Sequence, residues 1–253
     1  MSSTYASCTS LKTAVCGPNV TEMWGTYANC TNLTTAACGP NVIDMRHTYN
    51  NCTNLKTAVC GPNVTNMLHA YVGCTNLITA VCGENVRDMT FTYYNCSNLK
   101  TAVCGNSVIY MNDAYRNCFN LTMAVCGPNV AYLSNTYENC HNLTTAVCGP
   151  NVTHVYNAYR NCTNIRGNFY ILSEKVNVWY NCFTGRNALR RLNIYVKAGS
   201  KTNQYITTYT NTRSIVGANI TWTNTGTYRY NTAYNIYIYP VDNVAATKAA
   251  NGD

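Results

Sequence analysis

Charge is scarce in this chain of 253 residues: Asp, Glu, Lys and Arg make up 10% of it, against roughly a quarter in an average soluble domain. The polar surface must therefore come from Asn, Thr, Ser and Tyr, and solubility from hydrogen bonding more than from charge. Long apolar runs are missing too. No stretch approaches the roughly 18 residues that a membrane-crossing helix needs, which excludes a helical span. The opening Met1-Ser2-Ser3-Thr4-Tyr5-Ala6 has neither the basic start nor the apolar centre of a secretory leader, so folding in a cytoplasm is expected. The sixteen cysteines include no Cys-x-x-Cys, the commonest zinc-ligand spacing, and no metal or other cofactor is expected. His47, His69, His141 and His154 form no set with a nucleophile, and Asp and Glu occur singly, so enzyme activity is not expected either.

What the chain has is periodicity. Cys8, Cys30, Cys52, Cys74, Cys96, Cys118, Cys140 and Cys162 recur every 22 residues, and Cys16, Cys38, Cys60, Cys82, Cys104, Cys126 and Cys148 form a second series with the same step. A fixed period of this size is the signature of a solenoid. Residues 33–52 serve as one rung. Thr35-Ala36-Ala37-Cys38 and its successor Thr57-Ala58-Val59-Cys60 read as a short strand, with Ala36 and Cys38 inward and Thr35 and Ala37 outward. Gly39-Pro40-Asn41 reads as a turn, because glycine tolerates positive φ and proline presets φ. Met45, Tyr49 and Cys52 then fall at i, i+4 and i+7, one face of about two helical turns. Asn and Thr weaken such a helix towards 3₁₀ or irregular structure.

The pattern Leu33, Ala36, Cys38, Pro40, Val42, Met45, Tyr49, Cys52 resembles the BspA-like leucine-rich repeat, with Tyr in place of the usual Phe and Cys38 in place of an aliphatic. The resemblance implies a leucine-rich-repeat solenoid. Its parallel β-sheet lines one side, its convex side is short-helical or irregular, and a β-rich cap closes the C-terminus. Residues 1–164 hold seven regular rungs and the start of an eighth; residues 165–253 hold modified rungs and the cap. Within the latter, residues 165–172 read as a modified rung and residues 192–200 as a closing strand and turn. Residues 202–213 suggest a helix, residues 220–223 and 234–239 a pair of strands, and residues 245–253 a fraying tail.

The inward cysteines read as two ladders of buried free thiols, with disulfides between neighbouring rungs as the weighed alternative. Asn ladders at Asn32, Asn54, Asn76, Asn98, Asn120, Asn142 and Asn164, and at Asn41, Asn63, Asn85, Asn129 and Asn151, read as structural, satisfying backbone groups at the turns. The outward strand face is the candidate binding surface. Val15, Val59, Val81, Val103, Val125 and Val147, with Ala37 among them, make one column; Thr13, Thr35, Thr57, Thr79, Thr101 and Thr145, interrupted by Met123, make the next. An apolar stripe of that length marks a contact, against the plainer reading of β-formers on a sheet surface. Flat threonine arrays also occur on ice-binding solenoids, but valine dominates one whole column here.

Residues 165–253 carry ten Lys/Arg against three Asp/Glu, whereas residues 1–164 carry seven against six. Arg186, Arg190, Arg191, Lys197 and Lys201, near Tyr195, form the candidate docking set, for an acidic partner rather than nucleic acid. The segments LNIYVKAGS, NITWTN and NTAYNIYIYP resemble the ends of repeat proteins encoded by bacteriophages of gut bacteria. That resemblance implies a virion component: a capsid decoration protein, head fibre or tail-associated adhesin. Its expected partners are other virion proteins or a host-surface protein or glycan, with self-association open and no membrane. The alternative is a bacterial cell-surface adhesin, as BspA-like proteins often are.

Overall fold

The computed structural model describes residues 2–58, 60–208, 215 and 222–253. The chain winds into a parallel β-solenoid of about eight turns. The regular turns contribute β1 (Thr13–Val15), β2 (Thr35–Ala37), β3 (Thr57–Ala58), β4 (Thr79–Val81), β5 (Thr101–Val103), β6 (Met123–Val125) and β7 (Thr145–Cys148). Because the repeat has no insertions, equivalent residues pair in register, such as Thr13 with Thr35 and Val81 with Val103. In β1, β2 and β4 the central alanine is buried and its neighbours are exposed, as strand alternation requires. Among the described residues the pairing falls into stretches, β1–β2, β3–β5 and β6 onward, rather than one unbroken sheet. Each strand is two to four residues long and offers few ladder bonds, so a small shift interrupts it.

A second parallel ladder runs along the solenoid at Glu22, Asp44, Asn66, Asp88, Tyr110, Tyr132 and His154, one bridge per turn. It ends in β8 (His154–Tyr156), paired with β10 (Val178–Tyr180). Sequence periodicity suggests helical turns after this point, yet the described residues of the regular turns contain no helix. Backbone N–H groups alternate instead. Those of Met23, Gly25, Tyr27 and Asn29 donate to Asp44, Arg46, Thr48 and Asn50 of the next turn, while those of Thr26, Ala28 and Cys30 close tight turns three residues back. Two residues per turn sit at positive φ, for example His47 (57°) and Asn51 (57°), which a right-handed helix cannot contain. Asn fills many of these positions because its side chain tolerates that region.

Glycine at the strand end has a different role from the one its turn motif suggested. Gly39 is not at positive φ; a Cβ there would lie 2.9 Å from the Gly17 carbonyl oxygen and 3.0 Å from Cys16 Sγ. The residue is small because adjacent turns approach closely, and the same holds at Gly61 and Gly127.

The interior is a stack of repeated columns. Tyr5, Tyr27, Tyr49, Tyr71, Tyr93, Tyr115, Tyr137, Tyr159 and Phe183 form one aromatic pile with ring centroids 5.2–5.7 Å apart. All sixteen cysteines are free thiols, and all but Cys8 are buried or half-buried. Cys52, Cys74 and Cys96 donate through Sγ to the carbonyls of Tyr27, Tyr49 and Tyr71. Burial pushes the Cys52 thiol up to about 12 and Cys38 up to about 11, which keeps them protonated, as a donor must be. Side-chain amides also climb the solenoid. Asn54 donates to Asn32 and Asn76 to Asn54, whereas Asn41 and Asn63 donate to the carbonyls of Pro18 and Pro40.

The sheet continues past residue 164. β9 (Gly167–Ile171) pairs with β7, β11 (Leu192–Lys197) with β9, and β14 (Ile236–Val241) with β11, all parallel. A helix, α1 (Lys201–Thr208), follows β11 and covers the first part of the 202–213 that the sequence suggests; residues 209–213 lie outside the described residues. Of the expected pairing of residues 220–223 with 234–239, the described part differs at Thr223. β12 (Thr223–Asn224) pairs antiparallel with β13 (Arg229–Asn231), and β13 with β14, while Ile220 and Thr221 lie outside the described residues. The tail does not fray: α2 (Val244–Ala250), N-capped by Asn243, packs against β9 and β11.

Candidate functional site

The outward face of the regular turns is assembled as its columns suggested. Val15, Val81, Val103 and Val125 are 69%, 58%, 59% and 53% exposed, and Met123 is 55% exposed. Thr13, Thr35, Thr57, Thr79, Thr101 and Thr145 are exposed beside them, while Val59 lies outside the described residues. Val147 is only half-buried from solvent's side, because its register partner is the large Tyr170 of β9. No side chain in either column is charged.

The basic set is divided. Arg186 is 8% exposed; its guanidinium donates to the carbonyls of Tyr234 and Arg190, and burial lowers its pKa to about 10. It ties the cap together from within and is not a surface docking group. Arg190 is half-buried and Arg191 exposed just before β11, whereas Lys197 is its last residue and Lys201 lies beyond that end.

Sequence reasoning missed the surface that Arg191 joins. Asn193 and Tyr195 face outward from β11, and Tyr237 and Tyr239 do so from β14, paired Asn193 with Tyr237 and Tyr195 with Tyr239. Tyr230 of β13 pairs with Tyr237 and stacks on it, and Tyr228 leans against Tyr239. The Arg191 guanidinium lies 4.0 Å above the Tyr237 ring centre and donates to Asn193 Oδ1 (2.8 Å) and the Tyr239 hydroxyl (2.7 Å). The alternation of LNIYVK and NIYIYP, which marks both segments as strands, also puts their tyrosines outward.

A second unannounced feature is a surface pile of His47, His69 and Phe91, with rings 4.7 and 4.8 Å apart. These residues share one rung position, 22 residues apart. Burial is the main cause that lowers the pKa of both histidines. Among the described residues no group of three or more His, Cys, Asp and Glu is placed to hold a metal ion, and no helix is long and apolar enough to cross a membrane.

The family model for the BspA type leucine rich repeat region matches residues 1–100 and 69–191, in six copies. The chain belongs to the BspA-type leucine-rich repeat family. Among solved structures it is similar to a leucine-rich repeat protein from Bacteroides ovatus, at 13% identity over 81% of this chain and 83% of that one, with a TM-score of 0.26. No curated protein matches the chain. BspA-type solenoids are typically interaction scaffolds rather than enzymes, and an interaction or adhesion protein is the coarse reading the family supports.

Proposed function

We propose that this BspA-type solenoid is a non-enzymatic component of a bacteriophage virion: a capsid decoration protein, head fibre or tail-associated adhesin. Its outward sheet face contacts protein or glycan, and its basic C-terminal region docks on an acidic partner. The observation that carries the contact reading is the exposed column Val15, Val81, Val103 and Val125, 53–69% exposed and free of charge along the solenoid. An aligned apolar stripe of that kind is unusual on a surface that only meets water. The virion assignment is supported by the likeness of the C-terminal segments to the ends of phage repeat proteins. A bacterial cell-surface adhesin is the second reading, favoured by membership of the BspA-type family.

Mass spectrometry of particles purified from infected cultures separates the two. The chain should be found in stoichiometric amounts with capsid or tail proteins. Its presence only in the envelope of uninfected bacteria would replace the virion reading with the adhesin.

A further inference from the structure

The C-terminal sheet already holds one carboxylate on its outward face. Asp253, beyond the end of α2, accepts hydrogen bonds from the Tyr170 hydroxyl (2.6 Å) and from Asn168 Nδ2 (2.8 Å), and Asn251 Nδ2 donates to the same Tyr170 oxygen (2.8 Å). The two donors to Asp253 hold its carboxyl below the usual carboxylate range, Tyr170 first and Asn168 second. The register then repeats the donor pair. Asn168 and Tyr170 of β9 stand beside Asn193 and Tyr195 of β11, which stand beside Tyr237 and Tyr239 of β14. One strand along from the occupied carboxylate site stands a second Asn–Tyr pair: Asn193 spends one amide N–H on Asn168 Oδ1 (3.0 Å) and keeps the other, the Tyr195 hydroxyl accepts from Asn251 and keeps its own proton to donate, and the Arg191 guanidinium is added.

Charge is sorted across this sheet by topology. β9, β11 and β14 are parallel, so their starts share one edge. Arg166, Arg190 and Arg191 precede β9 and β11 on that edge. Of the three acidic residues after position 164, Glu174 and Asp242 follow strand ends on the opposite edge, among Lys175, Lys197 and Lys201, and Asp253 is the one already docked; the edge with Arg166, Arg190 and Arg191 has no other acidic residue. The edge carrying Arg191 therefore favours an anion.

Spacing and ring orientation decide what kind of anion. Tyr170, Tyr195 and Tyr239 stack at 5.0 and 5.2 Å, tilted by 16° and 20°. Their faces are spent on one another, so they offer no open face for a nucleobase to stack on; Tyr170 is buried, and Tyr195 and Tyr239 are half-exposed. A peptide strand presents same-face side chains only every ~6.7 Å, out of step with these rings. An extended pyranoside chain advances by about one ladder step per sugar and carries hydroxyls that match a row of tyrosine and asparagine groups.

We propose that Arg191, Asn193, Tyr195, Tyr237 and Tyr239 form a binding row for an acidic polysaccharide, gripping uronate carboxylates as Asn168 and Tyr170 grip Asp253. This names the ligand class for the docking region of the preceding section and rests on that reading. The row runs across the strands, and Asp253 occupies its first place.

The test uses the full chain and polygalacturonate at low salt, read by isothermal titration, with dextran, oligothymidylate and polyglutamate as comparisons. Polygalacturonate should bind, and added salt should weaken it. Arg191→Gln should weaken binding by about tenfold, the loss of one charge-assisted contact, with an unchanged melting temperature. Asp253→Ala should strengthen binding by opening Asn168 and Tyr170 to the polymer. Absence of polygalacturonate binding, equal binding of any comparison polymer, or indifference to both substitutions would overturn the proposal. If wild type ignores polygalacturonate while Arg190→Glu with Arg191→Glu abolishes particle attachment, the docking reading stands and the ligand assignment falls.

Discussion

The regular turns and the C-terminal region use one sheet in two ways. In the turns, stacking dictates nearly everything: a buried Tyr, Cys, Leu and Met recur in place, and the outward columns are Val and Thr without charge. After residue 164 the same parallel pairing continues, but the outward residues become Asn, Tyr and Arg, and α2 folds back over part of them. The contrast teaches where specificity can arise in a repeat protein. A residue that recurs in every turn is answerable to its neighbours along the axis, whereas a residue that breaks the pattern is free to answer to a ligand.

The largest expected effect lies in the regular turns. Tyr93 is fully buried in the aromatic pile, while Tyr94 next to it is half-buried on the outer side. Tyr93→Ser should cost about 3–5 kcal/mol in chemical denaturation, and Tyr94→Ser much less. Equal losses would break the assignment of inward and outward residues. Tyr93→Phe sharpens it, because the Tyr93 hydroxyl is buried without a hydrogen-bond partner. An unpaired buried hydroxyl is destabilising, so the phenylalanine variant should be as stable as wild type or more so.

A smaller effect is expected in the C-terminal region, where one buried side chain does what a whole column does in the turns. Arg186→Gln leaves the Tyr234 and Arg190 carbonyls without their charged donor, a loss of about 1.5–3 kcal/mol. Limited proteolysis should then cut first after residue 186, with the turns intact. Uniform digestion along the chain would show that the cap and the turns unfold as one unit.

The smallest effect comes from the histidine pile. Burial lowers the pKa of His47 and His69 in the folded chain from the usual 6.5, so the unfolded chain takes up protons first as pH falls. Their contribution to stability is complete above that value and declines as pH drops below it towards the lowered folded values. Melting temperature should therefore fall on acidification. His47→Asn with His69→Asn should flatten the slope, since asparagine also tolerates the positive φ at both positions. An unchanged slope would assign the acid sensitivity elsewhere.

Much of the turn architecture was legible because it is local and repeated. The step of 22 residues alone sorts Tyr49, Cys52 and Leu55 to the interior and Val81 to the exterior. What was not legible depends on neighbours that spacing does not name. Gly39 is small because of the carbonyl of Gly17 in the adjacent turn, not because of its own φ. The spacing of Met45 and Tyr49 fits a helix, but backbone bonds to the adjacent turn win over bonds within the segment. Arg186 looks like a surface cation until the cap folds over it, and the grip of Tyr170 on Asp253 joins residues 83 positions apart. The docking candidates Arg190 and Arg191 were visible as charge; the tyrosine row beside them required strand register.

The division of labour between the two regions is tested most directly by particle attachment at low salt. Arg190→Glu with Arg191→Glu should weaken attachment of the chain to its parent particle and leave the fold intact, because an acidic partner is then repelled. Val81→Lys with Val103→Lys should leave attachment intact and disturb only lateral or receptor contact along the turns. The account is contradicted if the arginine pair can be reversed with no loss of particle binding, or if the valine pair alone abolishes it.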